Sequence, residues 1–147
     1  MLAMLLGMAA ATATPPFAKD DFETRDAILA ACYDNIDGQL QGDVARVSRS
    51  LHPEVIMRAV DAQSAHKPLA LEIESRETLL DSTRKGILKL PEAQWDRRCE
   101  VLSIAGNAAA VRLETPDFVS FDSYGNFDGK WLLVNSFWSY KSKPAKP

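Results

Sequence analysis

Few side chains in this chain have the type and placement to do chemistry. His52 and His66 are its two histidines, and an imidazole, with an ordinary pKa of about 6.5, suits proton transfer near neutral pH. His52 stands before Pro53 at an expected helix end, where a His commonly bonds backbone or faces solvent. His66 lies in a polar stretch and is expected in solvent, at most on a pocket rim. Arg58 interrupts an apolar run and could anchor a ligand carboxylate or phosphate through paired hydrogen bonds, although strand alternation also gives it an exit to solvent. Ser120 and Asn135 are neutral polar residues placed mid-strand. Facing inward, each must find a partner in a ligand, a water or a neighbouring strand, and for Asn135 pairing within the sheet or across a dimer is as good an account. Tyr33 and Trp131 could wall a planar ring, yet aromatics in such positions more often belong to the core. Asp34 and Asp37 flank Ile36 on a helix, off the centre of its apolar stripe, and are expected to be solvated. Two Cys and two widely spaced His fit no zinc signature, so no metal or cofactor is expected.

The bulk properties narrow the function classes. The chain has 147 residues, the usual size of one domain, and 46% hydrophobic with 25% charged content is that of an ordinary globular protein rather than a disordered one. Seventeen Lys and Arg stand against 20 Asp and Glu, a net charge of -3. That leaves no basic excess to neutralise a run of phosphates, and nucleic acid is not an expected partner. Residues 1–18 carry no charged side chain, and Leu2 to Ala11 is an apolar run followed by Ala11-Thr12-Ala13, which reads as a signal peptide cleaved near Ala13. The run is far shorter than the roughly 20 residues of a membrane-spanning helix. The expectation is an exported protein, periplasmic or secreted, with no membrane contact once the leader is cleaved. Export would let Cys32 and Cys99 pair across a long loop. Each lies in an apolar-patterned element, however, where a free Cys serves as a small core residue, and the patterning favours two free cysteines.

The elements that must position these residues follow from period and punctuation. Residues 1–19 form the leader and a short Pro-containing linker, 20–140 one domain, and 141–147 a polar tail. Asp20 and Glu23, spaced as a variant capping box, precede a helix expected from Phe22 to Gln41. Ile28, Cys32 and Ile36 recur on one face of it, and Gly42 stops it. Asp43 caps a second helix in which Val44, Val47 and Leu51 share a face, ended by Pro53. Val55 to Val60 reads as a strand, and after a polar connection over Asp61 to Pro68, Leu69, Leu71 and Ile73 alternate with Ala70, Glu72 and Glu74 as a second, half-buried strand. Ser75 caps a third helix through Leu79, Leu80 and Thr83, with Gly86 at its far end. Beyond Pro91 four strands are expected: Arg97 to Ile104, Ala108 to Glu114, Phe118 to Tyr124 and Lys130 to Trp138. Their short connections imply an antiparallel meander.

That element order carries local text with it: Tyr33, Asp37 and Gly38 with Gly42-Asp43, then Leu51-His52-Pro53, then Asp128-Gly129-Lys130-Trp131-Leu132-Leu133-Val134-Asn135. From Asp26 to Trp138 the chain resembles the nuclear transport factor 2-like superfamily, and within it the family called putative lumazine-binding. None of these motifs is a catalytic signature. The resemblance implies an α+β cone, in which a curved antiparallel or mixed sheet wraps against the N-terminal helices and leaves a pocket at its mouth, and a dimer made through the outer sheet face. Related enzymes place an acid on a pocket helix, which makes Asp37 a candidate here. The family's strand at Phe118 to Tyr124 commonly reads Phe-Val-Asp-Tyr, whereas this chain has Phe118-Val119-Ser120-Phe121, with Asp122 next. A pocket acid and phenol are thus replaced, and Asp122, on the face of Ser120, could substitute in part.

The closing strand fits the implied dimer. Strict alternation sets Trp131, Leu133, Asn135 and Phe137 on one face and Leu132, Val134, Ser136 and Trp138 on the other, so both faces are largely apolar and one needs a cover. A two-fold homodimer is the commonest solution. The preferred function is a non-catalytic binding module for a small apolar or planar ligand, touched by Tyr33, Arg58, Ser120, Trp131 and Asn135. One alternative is an enzyme of ketosteroid isomerase, dehydratase or cyclase type using Asp122, Asp37 or His52 as base. The other is a protein-interaction module with an empty or filled cone.

Overall fold

The computed structural model describes residues 17–60 and 70–141. The leader with its cleavage point, the Asp61 to Pro68 connection with His66, Leu69, and the tail after Lys141 lie outside the described residues.

Helix α1 (Phe22–Gln41) begins and ends where its punctuation demands. The cap is Asp21, whose carboxylate accepts from the Thr24 amide at 2.9 Å. Asp20, expected in that role, pairs with Arg25 at 2.6 Å instead. Gly42 at φ 74° takes the left-handed turn that only glycine adopts without cost. Helix α2 (Val44–Ser50) starts on Asp43, whose side chain accepts from the Arg46 amide. It ends one residue before Leu51, which was expected on its apolar face. Leu51 instead opens β1 (Leu51–Val60) and pairs with Leu133. Pairing breaks between Leu51 and Ile56, the stretch containing Pro53, which has no amide to donate.

Strand β2 (Leu71–Ser75) leads into α3 (Arg76–Arg84), capped by Ser75 on the Thr78 amide. A short 3₁₀ turn (Glu92–Gln94) precedes β3 (Arg98–Ala105), β4 (Ala108–Glu114), β5 (Phe118–Phe127) and β6 (Lys130–Tyr140). The β5–β6 hairpin is tighter than expected: strand continues to Phe127, and Asp128 and Gly129, at φ 52° and 82°, make a two-residue turn. Positive φ at both positions is the signature of the primed turn that matches strand twist. The sheet order is β2-β1-β6-β5-β4-β3, with β1 and β6 parallel and every other pair antiparallel. The last strand thus enters the centre of the sheet beside the first.

The helices cover one face. Helix α1 crosses β3, β4 and β6, while α3 packs on β1 and β2. Ile28, Cys32 and Ile36 are fully buried against Val55, Val111 and Leu133, each aliphatic side chain contributing about 1.5–3 kcal/mol by leaving water. Cys32 and Cys99 are bonded, correcting the expectation of two free core thiols. The apolar patterning was right, but it put both residues at the one place where α1 crosses the edge strand β3, and proximity in space is invisible to pattern. Tight packing also explains Gly38: a Cβ there would lie 2.7 Å from Val47 Cγ2.

Two strands face differently from strict alternation. In β6, Leu133 pairs with Tyr124 and Asn135 with the adjacent Ser123, so Val134 is an extra, bulged residue. The bulge resets the phase. Trp131 and Leu133 face the helices, but so then do Ser136 and Trp138, while Asn135 and Phe137 turn outward. In β2, the register opposite β1 sets Glu74 beside the inward-facing Met57. The carboxylates therefore face in, and Leu71 and Ile73, expected to be the buried side, are exposed.

Candidate functional site

Between the inner sheet face and helices α1 and α3 lies an open cavity of about 210 Å³. Its walls are mostly apolar, from Met57, Leu79, Leu113, Phe118, Leu133 and Trp138. Ser120, Tyr140 and the α3 residues Ser82 and Thr83 add hydroxyls, and the other polar groups come from one cross-strand row and one helix stripe. The row runs Val111, Asp122, Ser136, Met57, Glu74 across five strands. The stripe is Asn35 and Gln39 on α1, one turn apart, continuing the line of Ile28 and Cys32.

Asp122 is the deepest of these, with 4% of its surface exposed. Ser136 Oγ donates to Asp122 Oδ1 at 2.6 Å. Burial pushes the carboxyl up to about 6, against the opposing pull of hydrogen bonds from Ser136 and Ser120. Next along the same face, the phenol of Tyr124 is driven well above its ordinary range by complete burial and by the charge on Asp122. Across the cavity, burial raises the Glu74 carboxyl, and the nearby Glu72 adds to the shift. Glu72 itself accepts from Tyr140 Oη at 3.3 Å. On the helix side, Gln39 Nε2 donates to Asn35 Oδ1 at 2.6 Å. That leaves Asn35 Nδ2, in a residue 5% exposed, with no hydrogen-bond partner among the described residues. A buried donor left unpaired costs about 1–3 kcal/mol, so this amide is available to a ligand acceptor.

The sequence-derived candidates distribute unevenly. Asp122 and Ser120 line the cavity, on the shared face expected for them. The others do not. Asp37 was expected in solvent or as a pocket acid; it is 6% exposed and enclosed by Arg97, at 2.6 and 3.1 Å, and Arg46, at 3.4 Å. Asp34 likewise pairs with Arg46 and Arg49. Arg97 is held between the rings of Tyr33 and Trp95, at 5.5 and 5.0 Å from their centroids. Tyr33 is thus committed to that ion cluster, and its hydroxyl accepts from the Cys99 amide at 3.3 Å. His52 stacks on Phe127 at 4.7 Å, and its Nδ1 accepts from the Glu54 amide. Trp131 is buried core. Arg58 sits on the outer face between Ile73 and Phe137 in register, and Asn135 is exposed there because of the Val134 bulge.

Missed were Asn35, Gln39, Glu74, Ser136 and Trp138. The spacing 28, 32, 35, 39 was a readable signal, since two amides there continue an apolar helical stripe. Among the described residues no group of His, Cys, Asp and Glu is arranged to hold a metal, and no helix is long and apolar enough to cross a membrane.

A family model described as "Putative lumazine-binding" matches residues 23–139. The chain belongs to that family. Solved structures with the same fold include a nuclear transport factor 2-like protein of unknown function from Shewanella baltica, at 18% identity and TM-score 0.70, covering 86% of this chain and all of that one. A second, from Methylobacillus flagellatus, has 19% identity and TM-score 0.69, covering 86% and 99%. A ketosteroid isomerase-like protein from Erwinia carotovora atroseptica has 12% identity and TM-score 0.57, covering 84% and 100%. At these identities the likeness is one of fold, and this family member is an α+β cone of the nuclear transport factor 2-like kind. No curated protein matches it.

Proposed function

We propose that the cone of this lumazine-binding family member is a small-molecule site, whose floor carboxyl, Asp122, exchanges a proton with its ligand. The observation that carries the reading is a carboxyl buried beside an open cavity with only hydroxyl partners. A residue serving the fold alone would be paired or covered, as Asp37 is. Apolar walls with a few convergent polar groups are the usual make-up of a ligand pocket, and the family's description, naming lumazine, is in keeping with a planar guest. The cavity is open: Phe121 points outward, Trp131 is core and Trp138 forms part of the wall, which argues against a protein-binding cone filled by those aromatic side chains.

A second reading is favoured by one observation. A carboxyl pushed up to about 6 is poised to act as a general base near neutral pH. The cavity then serves proton transfer of the isomerase or dehydratase kind, with Asp122, rather than Asp37 or His52, as the base.

Two further features belong to this reading. The Cys32–Cys99 bond supports export, because disulfides persist in oxidising compartments. A homodimer through the outer sheet face is supported by the cross-strand row Phe121, Phe137, Arg58, Ile73, whose three apolar members are exposed.

Native mass spectrometry of protein recovered gently from the exported fraction tests the set. The expected result is a cleaved, disulfide-bonded dimer carrying a reproducible small adduct that a cavity-filling Ser136→Phe variant loses. An adduct retained equally by that variant, or a ligand-free protein that takes up none of a panel of small planar compounds, overturns the cavity as a binding site.

A further inference from the structure

The cavity's charges are all of one sign. Its lining contains two carboxyls, Asp122 and Glu74, and among the described residues no Lys, Arg or His. Neither carboxyl has an ion pair among the described residues; Glu74 is half-buried, but Asp122, at 4% exposed, matches the burial of Asp37, to which the same chain gives two arginines. Buried charges are ordinarily paired, because an uncompensated one costs several kcal/mol. Among the described residues Asp122 is the exception, and the open cavity beside it is where a counter-charge would enter.

Resting on the ligand-site reading above, we propose that the ligand carries an ammonium group as counter-charge to Asp122, in a pocket that Glu74 makes more negative, together with an oxygen acceptor for the unpartnered Asn35 amide. The three groups define the guest from different sides. Asp122 rises from the sheet floor on β5. Glu74 stands on the same cross-strand row three strands away, about 14 Å along the sheet by strand spacing. Asn35 faces them from α1, its Oδ1 already used by Gln39, so that what it offers is a donor. An anionic guest would add a third negative charge to a low-dielectric space with no cation to meet it among the described residues. A neutral guest would leave Asp122 either protonated or unpaired. An amine with a carbonyl, hydroxyl or ether oxygen on a short apolar body meets Asp122 and Asn35 directly, while Glu74 favours it from a distance over an anion.

The same arrangement makes binding respond to pH. The remaining titratable groups on the cone's inner face are Glu72 on β2, Tyr124 on β5 and Tyr140 on β6; α1 and α3 present amides and hydroxyls, β1 Met57, and β4 Leu113. None of these can supply the missing positive charge. Protonating Asp122 removes a counter-charge, so an ammonium ligand binds more weakly as pH falls through the value near 6.

Three probes that share one ring separate charge from fit: benzylamine, benzyl alcohol and benzoate, titrated calorimetrically into the full-length exported protein and into Asp122→Asn and Glu74→Gln. Benzylamine should bind about tenfold more tightly than benzyl alcohol at neutral pH, the scale of one well-placed buried charge pair, with benzoate weakest. Asp122→Asn should reduce the preference most and Glu74→Gln less, and lowering the pH to about 5 in the wild type should reduce it too. Benzyl alcohol or benzoate binding as tightly as benzylamine overturns the charge assignment while leaving the cavity a ligand site. An amine preference that survives in both variants overturns it too, as a surface effect of the acidic chain. Binding of none of the three overturns the ligand-site reading itself.

Discussion

Replacing Asp122 with Asn should make the protein more stable at neutral pH. Asn keeps the side-chain shape and can still accept from Ser136 Oγ, but it removes the charge that burial penalises. The carboxyl moves from 3.8 to about 6 on folding, and at 1.36 kcal/mol per unit the ionised form costs about 3 kcal/mol in the folded state. The sign follows from proton binding: a carboxyl whose folded pKa is raised binds more protons folded than unfolded between the two values. Its favourable contribution is therefore present at low pH and lost as pH rises through that window. Comparing urea unfolding of the two proteins cancels every other titrating group. The stability of Asp122→Asn relative to wild type should rise by about 2 kcal/mol between pH 4 and 7, most of the shift, and level off above the folded pKa. A difference that stays flat with pH, or that falls, would refute the reasoning, because it would mean that Asp122 is as well solvated or as well compensated in the fold as in the open chain.

Other consequences can be read with the same tools. Removing the disulfide with Cys32→Ala and Cys99→Ala frees a loop of 67 residues in the unfolded chain, and should cost about 4 kcal/mol in urea unfolding; an unchanged midpoint would show that the bond constrains nothing. Gly38→Ala should destabilise, since forcing a methyl to 2.7 Å from Val47 costs about 1–3 kcal/mol of overpacking, more than the roughly 1 kcal/mol of helix propensity it gains. A more stable variant would show that α2 moves freely away. Glu at both Phe121 and Phe137 places carboxylates on the exposed outer strip and should halve the mass measured by light scattering without changing the unfolding midpoint much; an unchanged mass removes the outer face as the dimer contact.

How much of this was legible in the residues depended on whether the signal was local. Both ends of α1 followed from Gly42 and the acidic cap region, and β4 from its turns, because each rests on neighbours in sequence. The family and the cone were legible too, through text such as the Asp128 to Asn135 run. That Ser120 and Asp122 share a face followed from simple alternation in an unbroken strand; that this face points into the cone did not. The failures were long-range. Nothing in β6 announces that Val134 bulges; the extra residue shows only once Ser123 and Tyr124 are paired against Asn135 and Leu133, and it moved Asn135 out of the cone and Ser136 into it. Glu74 faces inward because β1 sets its register, against its own polarity. Asp37 was expected in solvent because Arg97, sixty residues on, brings its counter-charge from another element. Cys99 meets Cys32 for the same reason. What the site shares with the core, an inward stripe on α1, was visible at 28 and 32; Asn35 and Gln39 simply continue it in polar form.

At the floor of the cone, Asp122 is a buried carboxyl without an ionic partner among the described residues. The direct measurement is a pH titration of its side-chain carboxyl carbon by NMR in selectively labelled protein, with Asp122→Asn to assign the signal. A midpoint at about 6 is the result this account predicts. A midpoint at the ordinary 3.8 would contradict it, by showing that the carboxyl is solvated or already neutralised within the chain.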